Sequence, residues 1–171
     1  MLQLSGSLLN KPILSLRTGQ QVGTILEPII NPNNLKIEGF YCSDRFEKGE
    51  FVLLYQDIRD IVAQGFVVDD HDVLTAPEEL VRLKDILTIN FQLIGKPVIT
   101  TAKERIGKIS DYATEIETMY IQKIYVAQSM FKNFAGGNLG VERNQINEIT
   151  DKKIIINELL RGKPAAAGLT A

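Results

Sequence analysis

Reactive side chains are scarce in this chain: its 171 residues hold one cysteine and one histidine. With Cys42 alone, an intramolecular disulfide and a site built from several thiolates are both excluded. Long apolar runs are missing too, and none approaches the ~20 residues that a membrane-spanning helix needs. The start, Met1-Leu2-Gln3-Leu4-Ser5-Gly6, lacks the basic opening and long apolar core of a signal peptide. A soluble protein in the reducing cytoplasm is expected, one that meets a membrane only through a partner or a surface. What is present is globular in kind: 44% hydrophobic and 23% charged residues, without the charge excess of disordered chains.

Charge of one sign is lacking as well, since the formal net charge is only −2. It divides unevenly. Residues 1–87 carry 8 Lys and Arg against 13 Asp and Glu, a net −5, and residues 88–171 carry 11 against 8, a net +3. That surplus falls short of the basic stripe that phosphate-backbone binding requires. It suits docking between the halves, or steering of a charged partner to one of them.

The halves are copies of one another. Lys11-Pro12-Ile13-Leu14-Ser15 returns 85 residues later as Lys96-Pro97-Val98-Ile99-Thr100. At an offset of 84, Val22-Gly23-Thr24-Ile25 is matched by Ile106-Gly107-Lys108-Ile109, and Ile37 to Cys42 by Ile121 to Val126. At 88, Asp57-Ile58-Arg59-Asp60-Ile61 is matched by Gln145-Ile146-Asn147-Glu148-Ile149, and Phe66-Val67-Val68 by Ile154-Ile155-Ile156. Within the blocks, apolar and β-branched residues alternate as they do in strands. Asn31-Pro32-Asn33-Asn34 reads as a hairpin turn. Gly23 and Gly107, at equivalent places inside strands, mark a bulge or bend where a side chain will not fit.

The pattern predicts an all-β protein of two tandem small β-barrels. Residues 1–74 form the first unit, 75–89 a short helical linker, 90–160 the second unit and 161–171 a flexible tail. The linker reads as helical from the Thr75 cap, Pro77, two early carboxylates and the spacing of Leu80, Leu83 and Leu87. Units this small bury only about 60% of the surface their unfolded chains expose, so docking of one on the other is expected.

The repeat resembles the PRC-barrel family. The likeness lies in Gly95-Lys96-Pro97-Val98, Ile106-Gly107-Lys108-Ile109 and the stretch Val141 to Ile149 with its spaced Ile146 and Ile149, and in their first-copy counterparts over residues 4–72. It implies a strongly bent sheet of about six strands closing towards a barrel. It also implies an adaptor role, as in a cytoplasmic domain of a photosynthetic reaction-centre subunit and a domain of a ribosome-maturation factor. The family shares no catalytic motif, so no catalytic residue carries over.

Candidate sites read mostly as scaffold. His71 lies in Asp69-Asp70-His71-Asp72, a set of metal-ligand types, but neighbours in an extended chain point apart and a polar turn is the expectation. Cys42 stands where the other copy has Val126, which marks a buried apolar position. The carboxylate pairs Glu115 with Glu117 and Glu78 with Glu79 read as solvated. For RNA, Phe40, Tyr41 and Tyr125 would stack bases and Lys123, Lys152 and Lys153 would meet phosphates. Tyr41 and Tyr125 are expected in the core first. The second copy carries an insertion with Met130, Phe131 and Phe134, which either cap the open end of the barrel or seal the junction with the first copy, or else form a candidate partner-binding surface. The expected function is therefore a non-enzymatic module, without cofactor or metal, that binds a protein partner. RNA or the ribosome is the alternative partner, and a homo-oligomer is compatible with the pattern.

Overall fold

A computed structural model describes residues 1–128 and 137–158. The protein is mostly β, in two sheets. The first holds β2 (Pro12–Ser15), β3 (Gln21–Asn31), β4 (Lys36–Asp44), β5 (Phe51–Leu54), β6 (Ile58–Val62) and β7 (Gly65–Val68), in the spatial order β5-β4-β3-β2-β7-β6. The second holds β8 (Pro97–Thr100), β9 (Arg105–Glu115), β10 (Ile121–Gln128), β11 (Gly137–Glu142), β12 (Ile146–Ile149) and β13 (Ile154–Ile156), in the order β11-β10-β9-β8-β13-β12. The two orders are the same path. Each contains one parallel pair, β2 with β7 and β8 with β13, among antiparallel neighbours.

Both sheets bend at matching places. A residue is skipped in the pairing at Val22, Leu26, Glu38 and Arg59, and again at Ile106, Ser110, Gln122 and Asn147. Each member of the second set is the repeat equivalent of one in the first. An extra residue kinks its strand and increases local twist, so four bulges per sheet curl it inward. The glycines serve the same bend: a Cβ at Gly23 would overlap the Ser43 carbonyl oxygen, and one at Gly107 the Ala127 carbonyl oxygen.

The bulges also reset which side chains face inward. Beyond the skipped Glu38 and Gln122, the alternation changes phase, so that Phe40 and Cys42 are buried beside Ile37, and Ile124 and Val126 beside Ile121. Tyr41 and Tyr125, expected in the core, are therefore turned to the outer face and half-exposed. A strict period of two cannot show this correction. Equivalent buried pairs (Ile13 with Val98, Ile25 with Ile109, Leu53 with Val141, Phe66 with Ile154) belong to one connected apolar cluster running through both sheets.

The segment between the sheets does not form one helix capped by Thr75. Thr75 instead pairs with Val52 by backbone hydrogen bonds of 2.8 and 3.0 Å. Two 3-10 turns follow, Pro77–Glu79 and Val81–Leu83, and then helix α1 (Lys84–Ile89). This helix sets Ile86 and Leu87 beside Pro28, Ile29 and Ile30 of β3. At the start of the chain, β1 (Leu2–Leu4) adds to the second sheet, pairing with Ala113 to Glu115 of β9. The leading segment of each unit thus lies on the other unit.

The hairpin tips join the sheets. Ile37 N–H donates to Met119 O at 2.8 Å, and Ile121 N–H donates to Leu35 O at 2.9 Å. Leu35 and Met119 are both buried with positive φ, 54° and 61°. Around this seam Arg143 donates to the carbonyls of Ile121, at 2.8 Å, and of Asn34, while the Tyr55 hydroxyl donates to Glu117 O at 2.8 Å. The Lys36 and Arg143 cations both lie over the Tyr120 ring, 5.5 and 5.1 Å from its centroid.

Candidate functional site

A groove of about 1000 Å³ lies on the outer face of the second sheet. Parallel strands β8 and β13 form its floor. Val98, Thr100, Ile154 and Ile156 point into the core, so their neighbours Ile99 and Ile155, register partners across the two strands, point outward and stay half-exposed beside Pro97.

Cations border this floor. Arg105 and Lys108 stand on β9, Lys103 in the β8–β9 turn, and Lys152 and Lys153 in the β12–β13 turn. In a regular strand Arg105 and Lys108 would face opposite ways. The bulge at Ile106 absorbs one residue and brings both to the exposed face. A threonine pins each turn. The Thr100 hydroxyl accepts from the N–H groups of Ala102 and Glu104, both at 3.2 Å, and the Thr150 hydroxyl accepts from Lys152 N–H at 3.2 Å and Lys153 N–H at 2.9 Å. Lys103 takes the left-handed conformation, φ 65°, that this turn demands.

No carboxylate stands among the described residues that line the groove. Five cations border this apolar floor, with Glu104 and Asp151 next to them in the two turns. The first sheet supplies an internal comparison. Pro12, Leu14 and Val67 stand at the positions of Pro97, Ile99 and Ile155, so the apolar floor is repeated. The five cations are not: their equivalents are Gly19, Gln21, Thr24, Gln64 and Gly65. Arg17, in the turn after β2, is a basic residue that the first unit places nearby, and it is paired with Asp70 at 3.2 Å.

The residues singled out from the sequence are scattered around this arrangement. Lys152 and Lys153 are in the groove; Lys123 is on β10, paired with Glu142 at 3.4 Å. Phe40 is buried, and Tyr41 and Tyr125 lie on different sheets, so the proposed base-stacking set is not assembled. Met130, Phe131 and Phe134 lie outside the described residues. Arg105 and Lys108 share a face only through the bulge, which the sequence does not announce, and Lys103 joins them from the turn.

The acidic run at His71 diverges. Asp69 is held in a fork by Arg59 at 2.6 and 2.9 Å, and that bond lowers its pKa. Asp70 accepts from the His71 N–H, and also from Ser15 and Arg17, and its pKa is likewise lowered. The His71 ring turns away to the Asp44 carboxylate at 2.7 Å, with Phe46 edge-on to it. Among the described residues no cluster of three His, Cys, Asp or Glu side chains could hold a metal ion. Glu115 holds the N-terminal ammonium, which lowers its pKa, while Glu78 and Glu79 are exposed in a 3-10 turn. Cys42 is buried; burial, with Asp44 nearby, pushes its thiol up to about 12, so it carries almost no thiolate at neutral pH. No helix among the described residues is long and apolar enough to cross a membrane.

No protein-family model matches this chain, and no curated protein matches it.

Proposed function

We propose that this chain is a non-enzymatic adaptor of two tandem PRC-barrel-like units, acting in the cytoplasm, and that the outer face of its second unit binds a protein partner. The observation that carries this reading is the one-sided groove. A scaffold repeated down to its bulges places five cations at one copy of a position and none at the equivalents of those five in the other. Fold maintenance accounts for the shared floor, and leaves the charges to binding. The dispersal of the ionisable groups supports a non-catalytic role, since acid–base and nucleophilic chemistry need partners within hydrogen-bond reach in a cleft.

The alternative is an accessory factor in ribosome maturation or RNA handling, and the same cations favour it. No aromatic side chain stands among the groove's described lining residues. Sequence-tolerant single-strand binding rests on such stacking platforms. That weighs towards a protein.

The test is cross-linking and affinity capture from the native cell, with wild-type chain and a Lys152→Gln/Lys153→Gln/Lys108→Gln variant, each with and without RNase. A protein set that survives RNase and disappears with the variant supports the adaptor. Partners lost on RNase treatment establish the RNA reading instead. Identical capture by both chains overturns the groove as the working surface.

A further inference from the structure

Resting on the adaptor reading, we infer that the groove of the second unit takes an acidic amphipathic segment of the partner, with apolar side chains on the β8–β13 floor and carboxylates towards the cations around it. The geometry argues for both halves of that description. A site for a bare polyanion needs cations and hydrogen-bond donors facing the ligand's axis. Here the middle is Pro97, Ile99 and Ile155, and the cations stand around it: Arg105 and Lys108 along the β9 side, Lys152 and Lys153 where β13 begins beside Pro97, and Lys103 at the opposite end.

An uncharged apolar ligand fits no better. The first unit repeats the floor as Pro12, Leu14 and Val67 but lacks the flanking cations, so a purely apolar segment would have no preference for the second unit. The volume of about 1000 Å³ matches about two turns of an α-helix of 10 Å diameter. Two turns present one apolar stripe bordered by polar positions, as the apolar floor is bordered by cations. An amphipathic helix laid by its apolar face into a groove is an established mode of recognition. The concave shape favours such a segment over a flat anionic bilayer.

The test uses the full chain and fluorescein-labelled probe peptides read by anisotropy. One peptide carries leucines at helical spacing flanked on both sides by glutamates. A second replaces the glutamates by glutamine, and a third keeps the glutamates and replaces the leucines by serine. The first is expected to bind, and each of the others to bind about tenfold more weakly or worse, a difference of about 1.4 kcal/mol. Lys152→Gln/Lys153→Gln should weaken the first peptide about tenfold and flatten its salt dependence, with the circular dichroism spectrum unchanged. A Gln21→Arg/Thr24→Lys/Gln64→Lys variant, which rebuilds part of the rim on the first unit, should raise the stoichiometry from one peptide towards two. Equal binding of the serine peptide would overturn the apolar half of the inference while leaving a cationic adaptor surface intact. Failure of all three peptides, with binding of single-stranded RNA or of phosphatidylserine vesicles that Lys152→Gln/Lys153→Gln abolishes, would overturn this inference and the protein-adaptor reading together.

Discussion

Lys36 is bridged to Tyr120, the residue that occupies its own position in the other repeat, 84 places along the chain. The flanking bonds obey the same exchange: Ile37 with Met119 becomes Ile121 with Leu35 when the copies are swapped. Antiparallel pairing of a residue with its own equivalent requires a local two-fold axis between the strands, the arrangement of an isologous interface. Around that axis the copies have diverged. Tyr55 and Arg143 are equivalents at an offset of 88, and each reaches across to a backbone carbonyl of the opposite hairpin, one by a hydroxyl and the other by a guanidinium.

Arg143→Ala should loosen this seam most. It leaves the Asn34 and Ile121 carbonyls without their donor and removes the cation from the Tyr120 ring. A loss of about 1–3 kcal/mol is expected in urea unfolding. Tyr55→Phe, which removes one exposed hydrogen bond, should cost about 0.5–1.5 kcal/mol. Hydrogen exchange at the Ile37 and Ile121 amides should rise in both variants, and unchanged protection would refute the coupling.

Gly107→Ala and Gly23→Ala should each destabilise by about 1–3 kcal/mol, because the new methyl meets a backbone carbonyl in the neighbouring strand and the strands must part. Gly6→Ala meets nothing within 4 Å and should stay within about 0.5 kcal/mol. Thermal melts of the three variants decide it.

Cys42 should make the fold sensitive to alkali. Its thiol moves from 9.0 to about 12 on folding, so above pH 9 the unfolded chain releases a proton that the folded one keeps. Stability is complete below the unfolded value and declines as pH climbs towards 12, by at most about 1.4 kcal/mol per pH unit from this group. The informative quantity is the difference from Cys42→Val, which copies the other repeat and should remove this part of the slope. A thiol reagent should label Cys42 only as fast as the protein opens.

At the acid end the sign reverses. Asp69, Asp70 and Glu115 have lowered pKa values through their bonds to Arg59, to the His71 amide and to the N-terminal ammonium. The stability they contribute is present above the ordinary carboxylate range and is lost as pH falls through their depressed folded values. Asp70→Asn should flatten the acid limb of the stability profile. If wild type and variant lose stability in parallel, the Asp70 contacts contribute nothing measurable.

The repeat and the strand content could be read from the chain because period and composition report directly on burial. Gly23 and Gly107 stood out for the same reason: equivalent glycines inside strands signal missing space. Bulges hid the rest. Skipping Glu38 and Gln122 turned Tyr41 and Tyr125 outward, and skipping Ile106 put Arg105 beside Lys108. A local shift of one residue leaves no mark on hydrophobic periodicity, yet it decides which face each later residue occupies. Leu2-Gln3-Leu4 is too short to announce its partner, and its pairing with β9 is set by tertiary contact.

Joined in one chain rather than paired as separate subunits, the two halves escape a rule that binds every symmetric dimer. In a homodimer each substitution appears twice, so a lysine gained on one face is gained on its mate. Covalent duplication keeps the two-fold seam that buries the hairpin tips, yet lets one sheet carry five cations at positions that are uncharged in the other. On the adaptor reading proposed above, a partner would meet one address and one orientation, which a symmetric pair of identical subunits could not offer.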